Sequence, residues 1–240
     1  MTGEDWGPLV DPAELPDWLA RLVERMIEQD MRPFRAVGPP PAGARPASVL
    51  MLFGEGEHGP DLLLLRRADT LGKHPGQVAF PGGAADPDDI GPVATALREA
   101  VEEVGVDAAG VTPAALLPAL YVPVSGFRVT PVLAYWRTSS PVRAVDPAET
   151  AAVARVPISV LTDPANRIMV RAPRGFVSPG YLLPGMLVWG FTAGLVTMLL
   201  HAGGWDRPWD TTDVRDLDQA IRAAAGTVRA TSTDADEEAS

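Results

Sequence analysis

Three glutamates, Glu99, Glu102 and Glu103, are related by i, i+3 and i, i+4, a spacing that makes their side chains neighbours on one face of a helix. Carboxylates so placed repel one another, and two arrangements offset the repulsion. One is a solvated acidic face with Arg98 paired to Glu102 at i, i+4. The other is a hard divalent cation, which takes oxygen ligands, seated between the carboxylates. Upstream, Phe80-Pro81-Gly82-Gly83 forms a Gly-rich turn, and Asp86, Asp88 and Asp89 make the intervening loop acidic.

The element that must carry the glutamates is a helix from about Pro92 to Val104. Proline has its φ preset for a first helical turn, and Gly105 can take the left-handed conformation that ends one. Val93, Leu97, Ala100, Val101 and Val104 recur at helical period and predict the stripe that packs inward.

With the glycine turn, the run Arg98-Glu99-x-x-Glu102-Glu103-x-Gly105 resembles the Nudix box, G-x5-E-x7-R-E-U-x-E-E-x-G-U, of enzymes that hydrolyse nucleoside diphosphates linked to another moiety. The first half departs from the pattern: fourteen residues separate Gly83 from Arg98 instead of thirteen, and no Glu stands in the loop. The resemblance implies an α/β fold, a Nudix α/β/α sandwich with a mixed β-sheet between helices. It also implies Mg2+ or Mn2+ held by Glu99, Glu102 and Glu103, with Glu103 and Glu99 ahead of Glu102, and Arg98 bracing the helix through an ion pair.

A second motif precedes the box. Leu63-Leu64-Leu65-Arg66-Arg67-Ala68, then Gly76 and Phe80-Pro81-Gly82-Gly83, resembles L-L-T-x-R-S-x3-R-x3-G-x3-F-P-G-G, the mark of the coenzyme A pyrophosphatase branch, in which the box loop is also one residue longer. Leu65, Ala68 and Gly72 replace the motif's Thr, Ser and second Arg. The last change removes a guanidinium that can grip phosphate through two N–H groups, and Lys73 and His74 are the neighbouring cations left to compensate. Between Leu62 and Val78, Arg66, Arg67 and Lys73 face Asp69 alone, a basic patch in an acidic chain.

By this resemblance the substrate is coenzyme A or an acyl derivative, cut to 3′,5′-adenosine diphosphate and phosphopantetheine. Arg67, Lys73 and His74 would meet phosphate, Gly82 and Gly83 would admit close backbone approach, and Glu149, in Asp146-Pro147-Ala148-Glu149, would be an extra ligand or the general base. Two rivals stand: a Nudix hydrolase of another nucleoside diphosphate derivative, and a non-catalytic nucleotide-binding module of the same fold.

The remaining chain sets limits. A net charge of -11 argues against general nucleic-acid binding. The absence of cysteine closes disulfides and thiolate metal sites. The first residues lack a basic and apolar leader pattern, so a cytoplasmic location is expected. Residues 1–34 are read as an N-terminal amphipathic helix, with Trp18, Leu19, Leu22, Val23, Met26 and Ile27 on its apolar face, capping the domain or making a homodimer contact. Residues 35–47 form a Pro/Gly-rich linker, 48–205 the hydrolase domain, and 206–240 a last helix and an acidic, disordered tail. Ser178 to Gly185 reads as a loop able to cover the pantetheine end of a substrate. Met186 to Leu200 is apolar but too short to span a bilayer, which needs about 20 residues, so a buried helix is expected.

Overall fold

The computed structural model describes residues 6–28, 41–173 and 175–226. A short strand, β1 (Gly7–Pro8), and a 3-10 turn at Pro12–Glu14 lead into α1 (Asp17–Glu28). Then follow β2 (Arg45–Gly56), β3 (Gly59–Arg67), β4 (Val78–Ala79) and β5 (Gly82–Ala84). The second helix, α2 (Gly91–Val104), precedes β6 (Val111–Leu116), β7 (Leu120–Val122), β8 (Phe127–Trp136) and β9 (Thr150–Pro157). The rest comprises α3 (Ile158–Thr162), β10 (Arg167–Arg171), β11 (Val177–Leu183), β12 (Met186–Val188), α4 (Gly190–Ala202), β13 (Val214–Asp216) and α5 over 217–226.

Nine strands form one mixed sheet along the path β1-β6-β8-β2-β3-β4, with β5 on β2, β7 on β8 and β9 on β3. Among the described residues, only β2 and β8 pair in parallel within it. Alternation along β2 and β3 divides the core in two. Met51, Phe53, Leu62 and Leu64 meet α1 and α4, while Leu50, Leu52, Leu63 and Leu65 meet Ala96, Ala100 and Val104 of α2. The result is the expected α/β/α sandwich around a mixed sheet. On the α1 side Trp18, Phe53 and Trp205 gather with ring centroids 5.7 to 6.3 Å apart.

Several expectations need correction. The inward stripe of α2 is rotated: Val101 is 43% exposed, whereas Thr95 and Ala96 are buried. Alanines at 96 and 100 let the helix approach the sheet closely, and Glu99 and Glu103 then turn toward the glycine turn. The strand β2 begins at Arg45, inside the stretch read as linker. Within the stretch read as helix, Gly7–Pro8 form a strand and Pro12–Glu14 a 3-10 turn before α1 begins at Asp17, and its apolar face is spent on this chain's own core. Helix α4 starts at Gly190 rather than Met186, because Met186–Val188 form β12. In the last segment a strand, Val214–Asp216, precedes the helix, which buries Ala220 and Ala224. The expected tail from Thr231 to Ser240 lies outside the described residues.

A second sheet, β12-β11-β10-β13, has no counterpart in the sequence reading. The presumed loop Ser178 to Gly185 is largely its strand β11, turning at Pro184-Gly185. Proline is tolerated there for a definite reason. Met169 sends its N–H to Asp213 O at 2.8 Å, so its register partner Pro179 faces the other way, where β12 pairs only with Tyr181 to Leu183. Among the described residues, no helix is long and apolar enough to cross a membrane.

Candidate active site

The turn is built where β2 changes partners. Its second half pairs with β3, and its first half with β5, in the register Ser48 to Gly83 and Val49 to Gly82. Leu50 N–H donates to Pro81 O at 2.8 Å and pins the turn to the middle of β2. Gly82 adopts φ +155°, and its N–H donates to Glu103 Oε2 at 2.9 Å. A side chain on Gly83 would place its Cβ 2.5 Å from Glu99 Oε1. The two glycines therefore lie directly beneath two of the three helix carboxylates.

Arg98 organises the loop between them. Its Nε and one terminal nitrogen hold both oxygens of Asp89 at 3.1 and 3.0 Å. The other terminal nitrogen donates to Glu99 Oε1 and Glu102 Oε2, each at 3.0 Å, and Ala84 O accepts a further bond at 3.0 Å. The guanidinium holds the Asp89 carboxyl well below the usual carboxylate range, and the carboxylate in turn strengthens the guanidinium's hold on its proton. The sequence reading named Asp89 only as one of three acidic loop residues, although it stands at the sixth position after Gly83, where the Nudix box places its Glu. The additional loop residue falls after it, so the shorter carboxylate still reaches Arg98.

The three helix carboxylates are not equivalent. The side chain of Glu103 is 11% exposed and that of Glu102 58% exposed. Burial pushes Glu103 up to about 7, against the favourable Gly82 N–H and with the Glu99 charge adding to the rise. Glu99 is also raised, first by burial, with Arg98 opposing. Arg67 Nη1 is 3.8 Å from Glu103 Oε1, and Arg67 Nε is buried without a hydrogen-bond partner among the described residues. Two largely desolvated carboxylates one helical turn apart, offering oxygen alone, suit a hard divalent cation. Among the described residues no three acidic or histidine side chains already converge as a metal cage. Glu99 and Glu102 are turned onto Arg98, and Glu103 onto the Gly82 N–H.

The upstream motif approaches from β3. Arg67 N–H donates to Gln77 O at 2.9 Å, and Ala68 N–H to Glu149 O at 2.8 Å. Glu149 thus comes next to the Arg67 strand end, near enough for its charge to contribute to the rise at Glu103. The loop after Ala68 is closed by Arg66, whose Nη2 lies 2.6 and 2.7 Å from the two Asp69 oxygens. His74 sits in the left-handed region at φ 54°, with Nδ1 3.0 Å from Gln77 Oε1. Neither Lys73 nor His74 makes an ion pair with the helix carboxylates. The structure therefore brings together Arg67, Gly82, Gly83, Glu99, Glu103 and Glu149, leaves Glu102 at the rim, and puts Lys73 and His74 on the adjoining loop.

The sequence profile of the NUDIX domain matches residues 44–177, more than half of the chain. The protein named "Uncharacterized Nudix hydrolase NudL" of Yersinia pestis (strain Pestoides F) is 57% identical over 74 residues, which are 31% of this chain and 37% of that protein. Its namesake in Yersinia pseudotuberculosis serotype O:1b (strain IP 31758) matches to the same extent. The match spans little more than a third of the length of these relatives. Among solved structures, a Nudix hydrolase from Alicyclobacillus acidocaldarius superposes with a TM-score of 0.45 and 18% identity over 67% of this chain and 92% of that one. The NUDIX domain of Shewanella oneidensis NrtR, complexed with ADP ribose, gives 0.40 and 17% over 55% and 86%. With more than half of its residues inside the profile match, and with Arg98-Glu99-x-x-Glu102-Glu103-x-Gly105 folded as a helix over the glycine turn, the chain belongs to the NUDIX domain family.

Proposed function

We propose that this chain hydrolyses the pyrophosphate bond of coenzyme A or acyl-coenzyme A, giving 3′,5′-adenosine diphosphate and phosphopantetheine or its acyl form. One observation carries the reading: the Arg67 strand end of the upstream motif and the Gly82–Gly83 turn meet at a single buried carboxylate, Glu103. The residues fit Mg2+ or Mn2+, held by Glu99 and Glu103 with Glu102 at the rim; when bound, such a cation polarises the phosphoryl oxygens. Arg67 orients a phosphate, and its buried Nε supplies a donor in want of an acceptor. Gly82 and Gly83 keep side chains out of the space beneath it. A water oxygen attacks phosphorus, the bridging P–O bond breaks, Glu149 takes the water's proton, and the phosphate ester leaves. The partner is then a small nucleotide rather than a nucleic acid or a membrane, and its setting the cytoplasm.

The test is product identification by mass spectrometry after incubation with coenzyme A and Mg2+ or Mn2+. Parallel reactions would contain ADP-ribose, a dinucleoside polyphosphate and a nucleotide sugar. Release of 3′,5′-adenosine diphosphate with preference for coenzyme A is expected, and equal or better turnover of another pyrophosphate would sink the assignment.

A second reading, a hydrolase of another nucleoside diphosphate derivative, is favoured by Gly72, which leaves the motif's second guanidinium unsupplied. A Cβ built at this position meets nothing within 4 Å. Gly72→Arg should therefore be accommodated, and on the coenzyme A reading it lowers KM for that substrate by roughly fivefold with kcat little changed, as a new phosphate fork would. A KM that does not move, or that falls only for a different substrate, supports the second reading.

A further inference from the structure

The segment after β8 does more than connect two strands. At its start Arg143 N–H donates to Val104 O at 3.1 Å and Val145 N–H to Glu103 O at 3.2 Å. These bonds satisfy two carbonyls of the last turn of α2, groups a helix leaves without an internal partner. At its end Glu149 O accepts from Ala68 N–H, next to Arg67. The same few residues are thus tied by backbone to the helix that carries Glu103 and to the strand that carries Arg67.

Between the ties stands Asp146. Its side chain accepts from Ala148 N–H at 2.8 Å, and its carbonyl accepts from Glu149 N–H at 3.0 Å and Thr150 N–H at 2.9 Å. Such an Asx turn fixes the chain over the next residues. Here it fixes the residue whose carboxylate is near Glu103. We infer that residues 143–150 form a strap that sets the two sides of the site against each other, and that Asp146 is the positioning residue that aims Glu149. The inference rests on the hydrolase reading above and adds to it a residue that touches no substrate.

Asp163 supplies a matched control. It makes the same turn elsewhere, accepting from Ala165 N–H at 2.9 Å. Displacing a catalytic group by about 1 Å costs on the order of a hundredfold in rate, so Asp146→Ala should lower kcat for the preferred pyrophosphate about 10- to 100-fold with KM within threefold. Asp146→Asn keeps the accepting oxygen and should restore kcat to within about fivefold, and Asp163→Ala should lower the melting temperature comparably while leaving kcat within twofold.

A double-mutant cycle closes the test. If Asp146 acts through Glu149, adding Asp146→Ala to Glu149→Gln should cost no further rate. Full additivity, or equal kcat in Asp146→Ala and Asp163→Ala, overturns the strap while leaving the hydrolase intact. A wild-type chain that turns over no pyrophosphate overturns both.

Discussion

Glu103→Gln is expected to lower turnover of the preferred pyrophosphate about a thousandfold, the scale of losing a principal metal or proton-handling carboxylate, and yet to stabilise the metal-free protein at alkaline pH. The two effects have one origin. The Glu103 carboxyl is buried and pushed up to about 7 from an ordinary value of 4.5. A group raised in the folded state favours folding below its unfolded pKa and loses that advantage as pH rises through its folded pKa. Charging Glu103 therefore costs stability progressively between about pH 4.5 and 7, and the whole penalty is present at pH 8. A glutamine removes the charge while its amide oxygen can still accept from Gly82 N–H. Thermal melts in chelator should show the variant ahead of wild type by on the order of 2 kcal/mol at pH 8, with the difference gone by pH 4. Equal stability at both pH values would show that the carboxylate is not desolvated. If Glu103→Gln changes nucleotide affinity alone, and wild type hydrolyses nothing, the non-catalytic binding module is the correct description.

The largest effect on stability belongs to Gly82→Ala. At φ +155° an L side chain is already strained, and the new Cβ would run into Ser48 O and lie 2.7 Å from Val49 Cα. Both obstacles are backbone of β2, in the middle of the sheet, and neither can rotate away. A loss of about 4 kcal/mol is expected, read by chemical denaturation. Gly83→Ala is a different case, since the atoms nearest its Cβ all belong to the far end of the Glu99 side chain. That variant should remain folded, with a loss near 1 kcal/mol or less and kcat lower by about tenfold as Glu99 is pushed aside. If the two alanines cost the same stability, the close approach of Gly82 to β2 is not what holds the turn.

Much of this was legible in the chain. The Pro92 start, the Gly105 stop with φ 70°, and the face shared by the glutamates are local properties, and the helix forms as they dictate. Which residues of α2 are buried was not legible. Val101 is as apolar as Val104, and only the position of the sheet and the glycine turn tells them apart. Asp89 could have been found by counting six residues on from Gly83, although an Asp in place of the motif's Glu hides the carboxylate behind a different letter. Glu149 and Asp146 lie more than forty residues from the helix in sequence and carry no periodic signal. Their role depends on backbone bonds to Glu103, Val104 and Ala68, which no composition announces. The second sheet stayed hidden for a related reason: Ser178-Pro179-Gly180 has turn chemistry, and it is a strand only because β10 offers the partner.

The aromatic group of Trp18, Phe53 and Trp205 has a spectroscopic use. Indole rings held this close and at fixed tilt give a near-ultraviolet circular dichroism signal that disappears when either tryptophan moves away. One ring belongs to α1 and another follows α4, so the signal reports whether the N-terminal helix is docked. The site's carboxylates and glycine turn contain no tryptophan and lie with α2 on the other side of the sheet. Docking of the helix can therefore be followed by this signal and integrity of the site by turnover, in one sample.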